Sequence, residues 1–326
     1  MTDEPDERIV PDVHETAADI ASMEIRGAAT IADAAAAALA SQATASTAGT
    51  SAAFEAELQA AARRLYETRP TAVSLPNALR YVLRDMDGES VAALRESVVE
   101  SARSFREDLS DAQDRLGRIG ANRLRDGDTV MTHCHSTDAL ACVKGAVDQG
   151  KDVSAVVKET RPRKQGHITA EALREWGVPV TLVVDNAARR YLERVDHVLV
   201  GADSIAADGS VVNKIGTSGL AVNARDRGVP VMVAAQTIKL HPGTLTGHTV
   251  EIENRAETEV VSDSERDRIT DGHPADPEFV VENPAFDVTP PRYVDAIVTE
   301  HGQFPPESIV TLMRELFGTD VGEPWD

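Results

Sequence analysis

The sequence predicts an α/β protein in two parts: an N-terminal all-helical domain over residues 1–120, then a Rossmann-like domain with a mainly parallel sheet over 121–326. Two observations carry this. Up to Gly120 the pattern is helical and rich in alanine. After Asp126-Gly127-Asp128 short valine-rich runs alternate with helical stretches, which is how strands buried on both faces of a parallel sheet read.

In the first part, residues 13–42 read as two helices broken at Arg26-Gly27-Ala28. The second is nearly all alanine from Ile31 to Ala40, and alanine has the strongest helix preference. Residues 43–51 read as a loop and 52–67 as a helix. The Arg69-Pro70-Thr71 step ends that helix, because proline disfavours helix in the residue before it. Pro76 opens a helix over 77–86, and Glu89 to Gly120 reads as one long helix. In the second part, strands are expected at 129–133, 153–158, 179–184, 197–201 and 229–235, with helices at 137–149, 169–175, 186–192 and 217–227. No G-x-G-x-x-G follows the first strand, so a dinucleotide site loses its main support.

Composition narrows the function. There are 33 basic and 54 acidic residues, a net charge of -21. Such a surface repels nucleic acid and anionic membranes. Only six of the basic residues are lysines, at 144, 151, 158, 164, 214 and 239. An acidic, lysine-poor surface fits a halophilic origin, since high salt screens charges over a few ångströms. No run reaches the roughly 18 apolar residues of a membrane helix. The start, MTDEPDERIVPD, lacks the basic and then apolar pattern of a secretory signal, so a cytoplasmic location is expected. With two cysteines, Cys134 and Cys142, a disulfide scaffold is not expected. No Cys/His spacing supports a metal, and no cofactor is expected.

In open α/β sheets ligands bind beyond the carboxyl ends of the strands. Those positions hold His133-Cys134-His135-Ser136, Glu159-Thr160-Arg161, Asp185-Asn186, Gly201-Ala202-Asp203 and Gln236-Thr237. Cys134 precedes an expected helix start, whose dipole and free amides would lower a thiol's pKa. Cys142 lies among Ala139, Leu140, Ala141 and Val143 and reads as core. His135 and Ser136 flank the thiol as substrate-orienting candidates. Asp203 follows Gly201, which permits close approach, and a closed cleft would raise its pKa by desolvation. The run Gly209 to Thr217 resembles a phosphate cradle: Asn213 and Lys214 offer donors, and Gly216-Thr217 precedes a helix whose amides attract anions. Lys239 is a second rare lysine past a strand end. Arg26-Gly27-Ala28-Ala29 and Arg69 add guanidinium forks suited to phosphate. Two anionic groups gripped between the domains are the expectation, with Arg161, Arg163 and Lys164 adding positive charge.

At these residues the sequence resembles the superfamily joining methylthioribose-1-phosphate isomerases, ribose-1,5-bisphosphate isomerases and the α, β and δ regulatory subunits of translation initiation factor 2B. The resemblance covers nearly the whole chain and rests on Arg26-Gly27-Ala28, Arg69-Pro70-Thr71-Ala72-Val73, Glu159-Thr160-Arg161-Pro162, Gly201-Ala202-Asp203 and Asn213-Lys214-Ile215-Gly216-Thr217. Thr132-His133-Cys134-His135-Ser136, His241-Pro242-Gly243-Thr244, the stretch Asn283 to Pro291 and Glu323-Pro324-Trp325 look most like the archaeal ribose-1,5-bisphosphate isomerases. Lys164-Gln165-Gly166 departs from the usual Leu-Gln-Gly-like stretch, which leaves the role of Gln165 open.

The resemblance implies catalytic Cys134 and Asp203, and substrate contacts from Arg26, Gly27, Ala28, Ala29, Arg69, His135, Ser136, Asn213, Lys214 and Lys239. It implies a phosphorylated pentose substrate and a dimer-based homo-oligomer, a hexamer; a nucleotide could also act as an allosteric ligand, though no residue set marks its site. It also implies a place in the archaeal salvage of nucleotide ribose toward RuBisCO. The expected chemistry is ring opening with Asp203 as acid and Cys134 as thiolate base, with exchanged roles or a hydride shift as alternatives. A methylthioribose-1-phosphate isomerase and a non-enzymatic regulatory subunit are the competing readings.

Overall fold

A computed structural model describes residues 8–25, 27–69, 72–84, 86–273, 276–317 and Trp325. The chain forms two compact units. One holds Met1–Asp114, Gln236–Pro242 and Met313–Asp326; the other holds Arg115–Ala235 and Gly243–Leu312.

The first unit is helical: α1 (Pro11–Ala21), α2 (Ala28–Ala45), α3 (Ser51–Tyr66), α4 (Ser74–Arg84) and the start of α5 (Val91–Ala121). Gly27, at φ 94°, sits at the N-cap of α2, which accounts for the break expected at Arg26-Gly27-Ala28. Alanines 32, 35, 36, 38 and 43 of α2 are buried, and the helix packs against α1, α3 and α4. Thr50 opens α3 by accepting from the Ala53 N–H at 3.3 Å. Phe54, Leu58, Leu65 and Leu79 are fully buried, each stabilising the unit by about 1.5–3 kcal/mol. The Asn77 amide donates to the carbonyls of Ile238 and Leu240 at 2.8 and 2.7 Å, tying in the distant segment that holds the short strand β8 (Leu240–His241). Trp325 is buried against Tyr66, with ring centroids 5.2 Å apart.

The second unit is built on β1 (Thr129–Thr132), β2 (Ser154–Lys158), β3 (Val180–Val183), β4 (His197–Val200), β7 (Val231–Ala234), β10 (Ala296–Thr299) and β11 (Gly302–Phe304). These form one sheet in the order β11-β10-β7-β4-β1-β2-β3. Every pairing is parallel except β10 with β11. The order reverses between β1 and β4, where a doubly wound sheet opens its ligand crevice. Helices α6 (Thr137–Asp148), α7 (Gln165–Glu175), α8 (Ala188–Tyr191) and α9 (Thr217–Arg227) connect the strands, and α10 (Asp263–Ile269) and α11 (Ile309–Phe317) follow. Gly120 of α5 lets Cys142 of α6 approach closely: a Cβ there would lie 2.2 Å from the Cys142 sulfur.

Three details depart from the sequence reading. A second, antiparallel set joins β5 (Ser204–Ala206), β6 (Val211–Lys214) and β9 (Phe286–Thr289), so much of the expected 209–217 cradle is strand. The helix expected over 186–192 is broken into a 3-10 turn over Asp185–Ala187, the single turn of α8 and a further 3-10 turn over Leu192–Arg194. Finally, β3 is not buried on both faces; at the sheet edge Leu182 is 45% exposed and Val184 just beyond it 59%. Among the described residues no helix is long and apolar enough to cross a membrane.

Candidate active site

Cys134 follows β1 and sits in the left-handed region at φ 70°, a strained conformation for a side-chain-bearing residue. Its peptide groups are both held. The Cys134 N–H donates to Thr160 Oγ1 at 2.8 Å, and its carbonyl accepts from Thr169 Oγ1 at 2.8 Å. The sulfur, almost buried, donates to Gln165 Oε1 at 3.4 Å. Helix α6 begins three residues later, with Ser136 as N-cap accepting from the Ala139 N–H at 3.2 Å. The thiol's pKa is not lowered, as its place before a helix had suggested. Burial pushes it up to about 11, with the charge of Asp203 adding to the rise and Lys214 and Arg255 opposing it.

Asp203 lies past β4, across the reversal in strand order from Cys134. It is exposed rather than shut in a cleft, and its N–H donates to the Val212 carbonyl at 2.9 Å. Its negative charge acts on both the Cys134 thiol and Lys214, which puts the three groups in one neighbourhood. Gly201 makes room for Ser136: a Cβ at 201 would lie 2.1 Å from Ser136 Oγ. The Ser136 side chain thereby packs directly against the backbone just past β4.

The expected anion cradle is differently made. The amides of Gly216 and Ser218 at the start of α9 are taken by the Asp287 carboxylate of β9, at 2.7 and 3.1 Å. An acidic side chain, not an incoming phosphate, complements the helix dipole there. Asn213 is buried and donates to Thr217 Oγ1 at 3.0 Å. Lys214 is buried too, donating to the Ala285 carbonyl at 3.1 Å and lying 4.6 Å from the centre of the Phe286 ring. Burial and the charge of Arg255 lower its pKa.

Lys214 lines a small, partly open pocket, with interior room for about one water molecule, together with Arg161, Arg163, Gln165, Arg255 and Glu259. Gln165 joins this pocket to the Cys134 sulfur. Arg163 makes a two-pronged pair with Glu259 at 2.9 and 2.6 Å. Arg255 and the buried Lys158, whose ammonium donates to the Gly216 carbonyl at 3.3 Å, were not singled out from the sequence. Arg255 lies far along the chain in an acidic stretch, but Lys158 could have been noticed as one of six lysines, closing a valine-rich strand.

Gly27, Ala28, Ala29, Arg69 and Lys239 belong to the first unit. Gly27 is exposed, and the other four are half-buried. Arg26 lies outside the described residues. His135 is half-buried beside the thiol, its Nδ1 3.0 Å from Thr169 Oγ1, and burial lowers its pKa. Among the described residues no three His, Cys, Asp or Glu side chains gather to hold a metal ion.

A thiol and a carboxylate thus lie at adjoining strand ends, with cations alongside. The chain matches the initiation factor 2 subunit family over residues 24–306, and it belongs to that family. It is 71% identical over 319 residues to the ribose 1,5-bisphosphate isomerase of Haloterrigena turkmenica, covering 98% of each chain. It is 71% identical over 321 residues to that of Haloferax volcanii, covering 98% of this chain and 97% of the relative. The solved 5-methylthioribose 1-phosphate isomerase from Pyrococcus horikoshii OT3 superposes with a TM-score of 0.74 at 32% identity, over 94% of this chain and 88% of that one. Full-length matches at 71% identity place the chain among the isomerases of the family.

Proposed function

We propose that this isomerase converts α-D-ribose 1,5-bisphosphate into D-ribulose 1,5-bisphosphate, with Cys134 and Asp203 as its proton-transfer groups. The observation that carries the reading is the meeting of Cys134 and Asp203 beside a pocket lined by Arg161, Arg163, Lys214 and Arg255. A substrate with two phosphates suits such cations better than one bearing an apolar methylthio group. The names and identities of the two haloarchaeal relatives support the same substrate.

The raised proton affinity of the Cys134 thiol supports the alternative in which the two roles are exchanged. Cys134 starts protonated and donates to the ring oxygen, while the Asp203 carboxylate removes the proton at C2. The C1–O bond of the ring breaks as the C1–C2 double bond forms, leaving an open-chain enol with its phosphate still on C1. Asp203, exposed to solvent and exchanging its proton with it, then delivers a proton to C1, and the Cys134 thiolate takes the proton of the C2 hydroxyl. Both groups end in their starting states and C2 becomes the ketone. Acid and base acting together in this way contribute about 10²–10⁴-fold. Lys214 and Arg255, which favour negative charge on the sulfur, stabilise the transient thiolate. Asn213, Ser136, His135 and the first-unit residues Arg26, Gly27, Ala28, Ala29, Arg69 and Lys239 complete the proposed substrate contacts.

In this reading the protein is cytoplasmic, acts in archaeal nucleotide-ribose salvage toward RuBisCO, works in high salt, responds to a nucleotide and assembles from dimers into a hexamer. The test is turnover of ribose 1,5-bisphosphate against methylthioribose 1-phosphate in molar KCl. We expect kcat/KM for the bisphosphate to be at least about 100-fold higher, with solvent deuterium entering at C1 of the product. A preference for the methylthio sugar would overturn the substrate, and turnover of neither would overturn the activity.

A further inference from the structure

Cys134 has a φ of 70°, which strains any residue with a side chain, while its nearly buried sulfur is held against Gln165 Oε1 at 3.4 Å. Something must hold it there. The holding groups are two threonines, Thr160 and Thr169, each almost completely buried. Thr160 Oγ1 takes the Cys134 N–H, and Thr169 Oγ1 gives its proton to the Cys134 carbonyl, both at 2.8 Å.

Each threonine is backed by one of the histidines that flank the thiol. His133 Nδ1 lies 3.2 Å from Thr160 Oγ1, and its Nε2 lies 2.8 Å from the Ile215 carbonyl. A carbonyl only accepts, so Nε2 carries the hydrogen. Burial, with the charges of Lys158 and Lys214 nearby, pushes the His133 pKa down to about 4, while Asp185 acts the other way. His133 is therefore neutral with Nδ1 as an acceptor, and the single Thr160 hydroxyl proton is shared between His133 Nδ1 at 3.2 Å and the Lys158 carbonyl at 3.1 Å. On the other side, the Thr169 hydroxyl has spent its single proton on the Cys134 carbonyl. His135 Nδ1, 3.0 Å away, must then be the donor. The two braces are mirror images in function: His133–Thr160 holds the peptide N–H, and His135–Thr169 holds the peptide carbonyl.

We propose that the His133–Thr160 and His135–Thr169 pairs are positioning residues that fix Cys134 in its left-handed conformation and so aim its sulfur at the ring oxygen and the C2 hydroxyl of the substrate. The first brace also runs to Ile215, beside Lys214 of the cationic pocket, so thiol and pocket are set in one frame. The proposal deepens the isomerase reading and rests on it for the direction of aim. The brace itself can be tested without substrate.

The experiment compares Thr160→Val, Thr160→Ser, Thr169→Val and Thr169→Ser in the full chain. Two readouts are used: steady-state turnover of ribose 1,5-bisphosphate, and the rate at which iodoacetamide alkylates Cys134 in the free protein. A misplacement of about 1 Å costs on the order of 100-fold in rate. Thr160→Val is expected to lower kcat about 10- to 100-fold with KM within threefold, and to change the alkylation rate at least threefold. Thr160→Ser, which restores the hydroxyl, is expected to return both to within about threefold of the parent. Thr169→Val should show the same pattern more weakly, because the carbonyl it abandons has a second lone pair open to another donor. Should Thr160→Val fail to fold, the Thr169 pair carries the test. Undiminished kcat in a folded valine variant, or equal losses in valine and serine variants, would overturn the brace. A parent protein with no turnover but with the expected alkylation pattern would sink the isomerase reading and leave the brace standing.

Discussion

Two cysteines eight residues apart show what a site requires beyond burial. Cys142 is completely buried in α6, donates to the Asp138 carbonyl at 3.4 Å and packs in a cluster with Leu116, Ala139, Val143 and Ala146. Cys134 is nearly as buried, yet its surroundings are Gln165, Lys214, Asp203 and Arg255. Burial raises the pKa of both thiols. The difference is that only Cys134 has cations near enough to stabilise a thiolate once its proton has left. A buried thiol among apolar neighbours is inert packing, and one framed by movable protons and fixed charges is suited to the proposed chemistry.

The sharpest way to break this contrast is to replace each sulfur. Cys134→Ser is expected to lower kcat at least about 100-fold. Cys142→Ala should leave kcat within twofold and cost about 1 kcal/mol of stability in a denaturant titration, from lost packing around a small cavity. Equal effects on kcat would erase the distinction between the two thiols.

Next in size is Lys214→Ala. Removing this pocket cation is expected to raise KM about tenfold or more, since charged hydrogen bonds to phosphate are among the strong ones, and to lower kcat as well, since Lys214 also favours the transient thiolate of Cys134. Unchanged affinity, measured by substrate titration, would remove Lys214 from phosphate binding.

The smallest effect concerns Asp203. The thiol's pKa lies above its ordinary value, so alkylation of Cys134 should speed up steadily with pH until about 11. The Asp203 charge contributes to that rise, so Asp203→Asn should move the profile to lower pH and make alkylation at pH 8 about two- to threefold faster. A profile that stays put would mean the carboxylate does not act on the sulfur.

Legibility followed the range of the interactions. The valine-rich runs gave away β1, β2, β4 and β7 to within a residue or two at each end, because a doubly buried parallel strand writes its burial locally. The antiparallel strands β5, β6 and β9 were not read, since pairings such as Asn213 with Asp287 join distant stretches. Asp287 on the α9 amides was invisible for the same reason, and its absence from the reading made Gly216-Thr217 look like a free anion cradle. Arg255 was passed over because only folding carries it to the pocket wall beside Lys214.

By itself, then, the order of residues determined the helical start, the alternation that builds the parallel sheet, and the candidate positions past β1 and β4. These depend on local preference and on a rule of α/β topology. Only the tertiary structure decided the left-handed turn of Cys134, the direction of its pKa shift, and the threonines and histidines that hold it. Those properties come from desolvation and from hydrogen bonds between residues 26 to 82 positions apart.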